Sequence, residues 1–152
     1  MDKQTAIGTL DTEYNNLLQA IQGLDERAMN KRFYGDWSVK DILAHISGWW
    51  HQSAAMLERM ARGERPVPEG VDYSNPDDWN AKFASAMKPQ SSETVVADMR
   101  QAYATYVRAA KAIPDDRFGE GKTVNKILDG NGFGHIREHL PAIKEYRQSI
   151  PA

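Results

Sequence analysis

Cysteine is absent from the 152 residues. Its absence excludes disulfide staples, thiolate metal ligands and a cysteine nucleophile together, so a metal on this chain has to be held by histidine and carboxylate. Any thiol chemistry would need a thiol cosubstrate. No stretch approaches the roughly 18 to 20 apolar residues of a membrane span, and the opening MDKQTAIGTLDTEY lacks the charged and then apolar layout of a signal peptide. The expectation is a cytoplasmic protein with no membrane partner. An excess of one charge is missing too. Nineteen Lys and Arg against 21 Asp and Glu leave a net charge of −2, without the basic face that neutralises a phosphate backbone, so no nucleic-acid partner is expected. Period-two alternation, β-branched runs and internal repeats are lacking, which argues against sheet and solenoid architectures. What remains fits one domain over residues 1–152, long enough to bury a core unaided.

The patterns that are present are helical. Ile7, Leu10, Tyr14, Leu17, Leu18, Ile21 and Leu24 recur at three and four residues and predict a first helix that loosens at Gly23. Ser38 with Asp41 three residues on resembles a capping box, and Ile42, Leu43, Ile46, Trp49, Trp50, Met56, Leu57 and Met60 carry a second helix to Gly63. Prolines at 66, 68 and 76 with Gly70 make the next stretch a long connection. Asp77 and Asp78 start a short helix bearing Trp79, Phe83 and Met87, stopped at Pro89. A third long helix starts at Ser91 or Ser92 and runs through Val95, Met99, Tyr103 and Tyr106 to the residues before Pro114. Thr123 to Leu128 reads as a helical turn broken by Asp129-Gly130-Asn131-Gly132. Phe133, Ile136, Leu140, Ile143, Tyr146 and Ile150 then predict a last helix, with a kink or local break at Pro141. Four main helices and one long crossing connection make an all-α, four-helix bundle.

All four histidines fall in two of these helices: His45 with His51, and His135 with His139. Two histidines four apart point the same way, and a third from another helix completes three ligands while leaving coordination open, which is the catalytic pattern. On a helical wheel His45 lies about 80° from its apolar centre and His51 roughly 160°, so His51 belongs to the surface. His135 and His139 lie about 65 to 105° from theirs, on the flank shared with Tyr146. His45, His135 and His139 therefore form the candidate constellation. It suits a divalent ion, Zn²⁺ by default with Ni²⁺, Fe²⁺ or Cu²⁺ admitted. The alternative is three hydrogen-bonded imidazoles lining a small-molecule pocket, as general bases or as bystanders.

Other signals are weaker. Gly130-Asn131-Gly132-Phe133-Gly134 lacks the preceding strand and following Lys-Ser/Thr pair of a phosphate loop. The tryptophans divide between core and pocket wall. Glu138 points away from its histidine neighbours on the wheel and is not taken as a ligand.

Gly35-Asp36-Trp37-Ser38-Val39-Lys40-Asp41-Ile42-Leu43-Ala44-His45-Ile46, followed by Trp49, resembles the second-helix signature of the DinB-like superfamily. Asp78-Trp79-Asn80-Ala81 after the proline-rich connection, and His135-Ile136-Arg137-Glu138-His139 with Ile143, look like its ClbS/DfsB branch. The resemblance implies an up-down-down-up bundle, a crossover between helices two and three carrying a short extra helix, and a tendency to homodimers. It also implies that the superfamily's metal triad carries over to His45, His135 and His139. Superfamily members include thiol-dependent transferases and isomerases; the branch takes its name from a protein that protects its host by opening the electrophilic cyclopropane of a genotoxic metabolite. The expected function is modification of a small electrophilic metabolite, by hydrolysis or by thiol transfer, at a three-histidine cleft. The competing expectation is a bundle that sequesters such a molecule without turnover. Trp49, Trp79, Asn80 and Tyr146 are the candidate pocket residues, and no catalytic residue is assigned.

Overall fold

Side-chain caps start three of the four long helices. Asp2 accepts from the Thr5 amide ahead of α1 (Lys3–Ile21), and Ser91 from the Thr94 amide ahead of α5 (Ser92–Lys111). Ser38 and Asp41 form a complete capping box at α3 (Val39–Ala61), each side chain accepting the other's backbone N–H. A computed structural model describes residues 1–151, and among them the regular structure is helical apart from an isolated bridge between Tyr34 and Trp37. The remaining α-helices are α2 (Glu26–Asn30), α4 (Pro76–Met87), α6 (Thr123–Ile127) and α7 (Gly134–Ser149), with a single 3-10 turn at Asp115–Arg117. None is long and apolar enough to cross a membrane.

Cross-helix contacts give the topology. Glu13 pairs with Arg137, and Arg147 donates to the Ala20 carbonyl, so α1 and α7 run the same way. Ser47 and His51 meet Asp98 while Trp50 meets Tyr103 and Tyr106, so α3 and α5 also run together. Lys3 reaches the Ile113 carbonyl while Asp11 accepts from Tyr103, which makes α1 and α5 antiparallel. The order is up, down, down, up. The apolar stripe of each long helix fills the centre: Leu10, Leu17, Ile42, Leu43, Ile46, Trp50, Leu57, Met99, Tyr106 and Ile136 are fully buried.

The crossover lies against α3 through one close approach. A Cβ on Gly48 would stand 2.2 Å from Phe83 Cγ, so only glycine lets that ring of α4 reach the helix backbone. No residue of α4 is itself buried. The break expected at Asp129 to Gly132 is present as a kink: Gly132 has non-helical backbone angles (φ −108°, ψ −112°) within an otherwise wound π-helical turn over Leu128–Phe133. At Pro141 the chain does not break: α7 is continuous, with that proline on the exposed face. The short α2, capped by Asp25, had no counterpart in the sequence reading.

Candidate metal centre

His45 lies in the first half of α3, His135 and His139 in the first half of α7, and the two helices are antiparallel at this level: Trp50 and Ser53, further along α3, meet Asn131, before α7 begins. The register follows from that contact. Asn131 accepts from Trp50 Nε1 through its carbonyl at 2.9 Å and donates from Nδ2 to Ser53 Oγ at 2.9 Å, so α3 holds the turn that leads into α7. Gly132 supplies the clearance, because a Cβ there would come within 2.9 Å of both Leu10 and the Tyr106 hydroxyl.

The three imidazoles converge. Ring centroids are 4.6 Å apart for His45 and His135, 5.1 Å for His45 and His139, and 5.0 Å for His135 and His139. One nitrogen from each lies within 4.8 Å of the other two. All three residues are less than a tenth exposed. His45 Nε2 and His135 Nε2 stand 2.6 Å apart, so one ring donates to the other. Nδ1 of His45, Nδ1 of His135 and both nitrogens of His139 have no hydrogen-bond partner among the described residues. Buried polar atoms without partners are rare and costly, about 1 to 3 kcal/mol each, and an ion is one of the accepted reasons for them.

Burial is the main reason the rings are neutral. It depresses the His45 pKa to about 2, with the His135 and His139 charges adding to the effect. It also lowers His135 to about 4, reinforced by His139 and opposed by the Asn131 carbonyl, which lies near without making a well-formed bond to Nδ1. His139 is lowered by burial and raised in part by Glu138. Neutral imidazole is the form that binds metals. The donor set fits a divalent ion: three neutral nitrogens, no carboxylate or thiolate, and lone pairs with no other partner. Ligands of a tetrahedral ion at bonds of about 2.0 to 2.1 Å stand about 3.4 Å apart, so accommodating one requires the His45 and His135 rings to part slightly.

Above the histidines lies a cleft of about 720 Å³, walled by Tyr34, Trp37, Trp49 and Tyr73 and reaching Asn80, Asn131 and Glu138. Trp37 meets the His45 ring edge to face at 4.8 Å, and Tyr34 meets His139 at 5.9 Å. Trp49 and Asn80, expected in the pocket, both line it and are bonded, Nε1 to Oδ1 at 2.6 Å. Trp79 stands behind that wall, packed on Tyr73 and donating to the Asp72 carbonyl. Tyr146 is also outside the cleft; its hydroxyl donates to the Ala28 carbonyl at 2.6 Å and its ring stacks on Phe33. His51 is exposed and pairs with Asp98 at 3.1 Å, remote from the triad in role. Glu138, which the wheel turned away from its neighbours, lies on the cleft's rim. Tyr34, Tyr73 and Asn131 also line it without having been singled out, and Trp37, one of the tryptophans divided between core and pocket wall, falls on the wall. Only the Gly-Asp-Trp run and the glycine-flanked asparagine marked their segments.

A sequence model of the DinB superfamily matches residues 9–137. No curated protein sequence matches the chain. Among solved structures, the chain is similar to the colibactin self-resistance protein ClbS in complex with a dsDNA, with a TM-score of 0.84 at 12% identity over 99% of this chain and 98% of that one. It is similar to DfsB, a sibling lethal factor precursor, with a TM-score of 0.81 at 15% identity over 97% and 96%. An uncharacterised protein from Clostridium difficile 630 gives a TM-score of 0.82 at 13% identity over 99% and 98%. At these identities the likeness is one of fold. The dsDNA bound by ClbS runs against the expectation of no nucleic-acid partner, which was drawn from net charge, a sum that does not report how basic side chains are grouped.

Proposed function

The chain belongs to the DinB superfamily, and we propose that it modifies a small electrophilic metabolite in a detoxification or self-resistance role, as a hydrolase working at the cleft over His45, His135 and His139. The observation that carries this reading is the convergence of three buried, neutral imidazoles with unpartnered nitrogens beneath an aromatic-walled cleft. His45, His135 and His139 would hold a divalent ion, Zn²⁺ or Ni²⁺, which supplies Lewis acidity towards the electrophile or its attacking water. The chain's own groups do the rest. Trp37, Trp49 and Tyr73 hold an apolar substrate body and exclude water from it. Glu138, on the rim beside His139, takes the proton lost by water. The water oxygen forms a bond to the electrophilic carbon, the bond from that carbon to the leaving atom breaks, and the leaving atom takes up a proton from solvent.

The likeness to a self-resistance protein supports the biological role by analogy of fold. Two measurements test the reading. Elemental analysis of untagged protein, incubated with Zn²⁺ or Ni²⁺, should find near-stoichiometric metal in the wild type and little in a His45→Ala/His139→Ala double variant; equal metal in both rejects the ion. Incubation with excess electrophile should give multiple turnovers without added thiol. Consumption that stops at stoichiometry favours sequestration, and dependence on thiol favours a transferase.

A further inference from the structure

The cleft over the three histidines carries one sign of charge. Among the described residues its only charged side chains are Asp36 and Glu138, both exposed carboxylates, since the imidazoles are neutral and no lysine or arginine lines it. Arg32 and Lys88 face a neighbouring depression instead, together with Asp41 and Asp77, on the far side of Asp36, Trp37 and Asn80, which border both. Several donors of the walls are already committed to the protein. Trp49 Nε1 is committed to Asn80, and the Tyr73 hydroxyl donates to Gln52 at 2.6 Å. Asn131 spends its side-chain amide on Ser53. The net charge that faces a ligand is therefore that of two carboxylates, which accept hydrogen bonds and repel anions, set among aromatic surface, which attracts cations through the negative face of the ring.

We propose that this cleft selects neutral or cationic ligands with a flat apolar body and rejects anions of the same shape. The selection rests on the site identified above and is a property of the cleft walls; a divalent ion held by the three imidazoles would add positive charge at the floor and offset the two carboxylates, so the selection is read on the metal-free protein.

Isothermal titration calorimetry on untagged, metal-free protein near neutral pH tests the charge selection without requiring turnover. The probes are naphthylmethylammonium, naphthylmethanol and naphthoate, which share a ring system and differ in charge. The ammonium should bind about tenfold more tightly than the carboxylate at low salt, with the alcohol between them, and raised salt should shrink the ratio. In an Asp36→Asn/Glu138→Gln double variant the ratio should fall to within about twofold, while affinity for the alcohol stays unchanged and so reports an intact cleft. Equal or tighter binding of naphthoate to the wild type overturns the proposal. So does a ratio undiminished in the variant, or no binding of any probe. Failure of the hydrolase reading looks different, because it leaves these binding ratios as expected and removes only turnover.

Discussion

Acidification should destabilise the metal-free protein through two particular side chains. In the unfolded chain His45 and His135 titrate near 6.5; in the fold, burial first and neighbouring imidazoles second hold His135 near about 4 and His45 lower still. Between those values the unfolded state binds more protons than the folded one, so stability rises with pH across the window and is lost as pH falls from about 6.5. Each imidazole contributes about 1.4 kcal/mol per pH unit once its unfolded form is protonated, so about 2 kcal/mol is lost per residue by pH 5 and about 4 kcal/mol for the pair. That is a large part of the roughly 5 to 15 kcal/mol that holds a domain of this size together. Urea unfolding with a chelator present, at pH 7 and pH 5, measures it. A His45→Gln/His135→Gln double variant removes both titrations and leaves every carboxylate in place, so it should lose markedly less stability between the two pH values than the wild type. An equal loss in both proteins would falsify the assignment of neutral, burial-depressed imidazoles to this site.

Saturating Zn²⁺, at about 100 times its dissociation constant, should raise wild-type stability by about 2.7 kcal/mol near neutrality, and the gain should vanish on acidification because protonated imidazole cannot ligate; thermal melts with and without ion read both. Trp50→Phe leaves the Asn131 carbonyl without its donor and should cost about 1 to 3 kcal/mol in urea unfolding. Metal affinity should weaken as well, since that bond registers α7 against α3. Gly48→Ala forces Phe83 off α3; hydrogen exchange should speed up across α4 and the preceding connection, and Phe83→Ala added to it should recover part of the loss as a coupled pair. His51→Ala should change stability by less than about 1 kcal/mol, the usual worth of an exposed pair, and leave metal content untouched, as elemental analysis would show.

Much of the fold was legible along the chain because its signals are local. Ser38 with Asp41, Ser91 and the prolines of the connection act on backbone groups within a few residues, and the structure has helix ends at those places. The segment Glu26–Asn30 escaped notice because five residues with Met29 alone buried give no periodicity to read. The interruption at Leu128–Phe133 was legible because glycine and asparagine disfavour helix locally, and Gly132 does leave helical geometry; the bonds of Asn131 to Trp50 and Ser53, distant in sequence, were not.

The site divides along the same line. Helical phase separated His51 from the other three histidines, since angle about an axis is a property of spacing alone. The same reasoning put Tyr146 with His135 and His139, and there it went astray: seven residues of rise carry it about 10 Å further along the axis, where α2 and Phe33 claim it. Glu138 shows the converse, reaching the rim although its direction on the wheel was unfavourable. Residue type and spacing were enough to nominate three imidazoles. Their meeting within 4.8 Å, their burial and the single sign of charge above them arise from antiparallel packing of α3 on α7 and from the crossover laid beside them, and these are contacts between segments that no local pattern encodes.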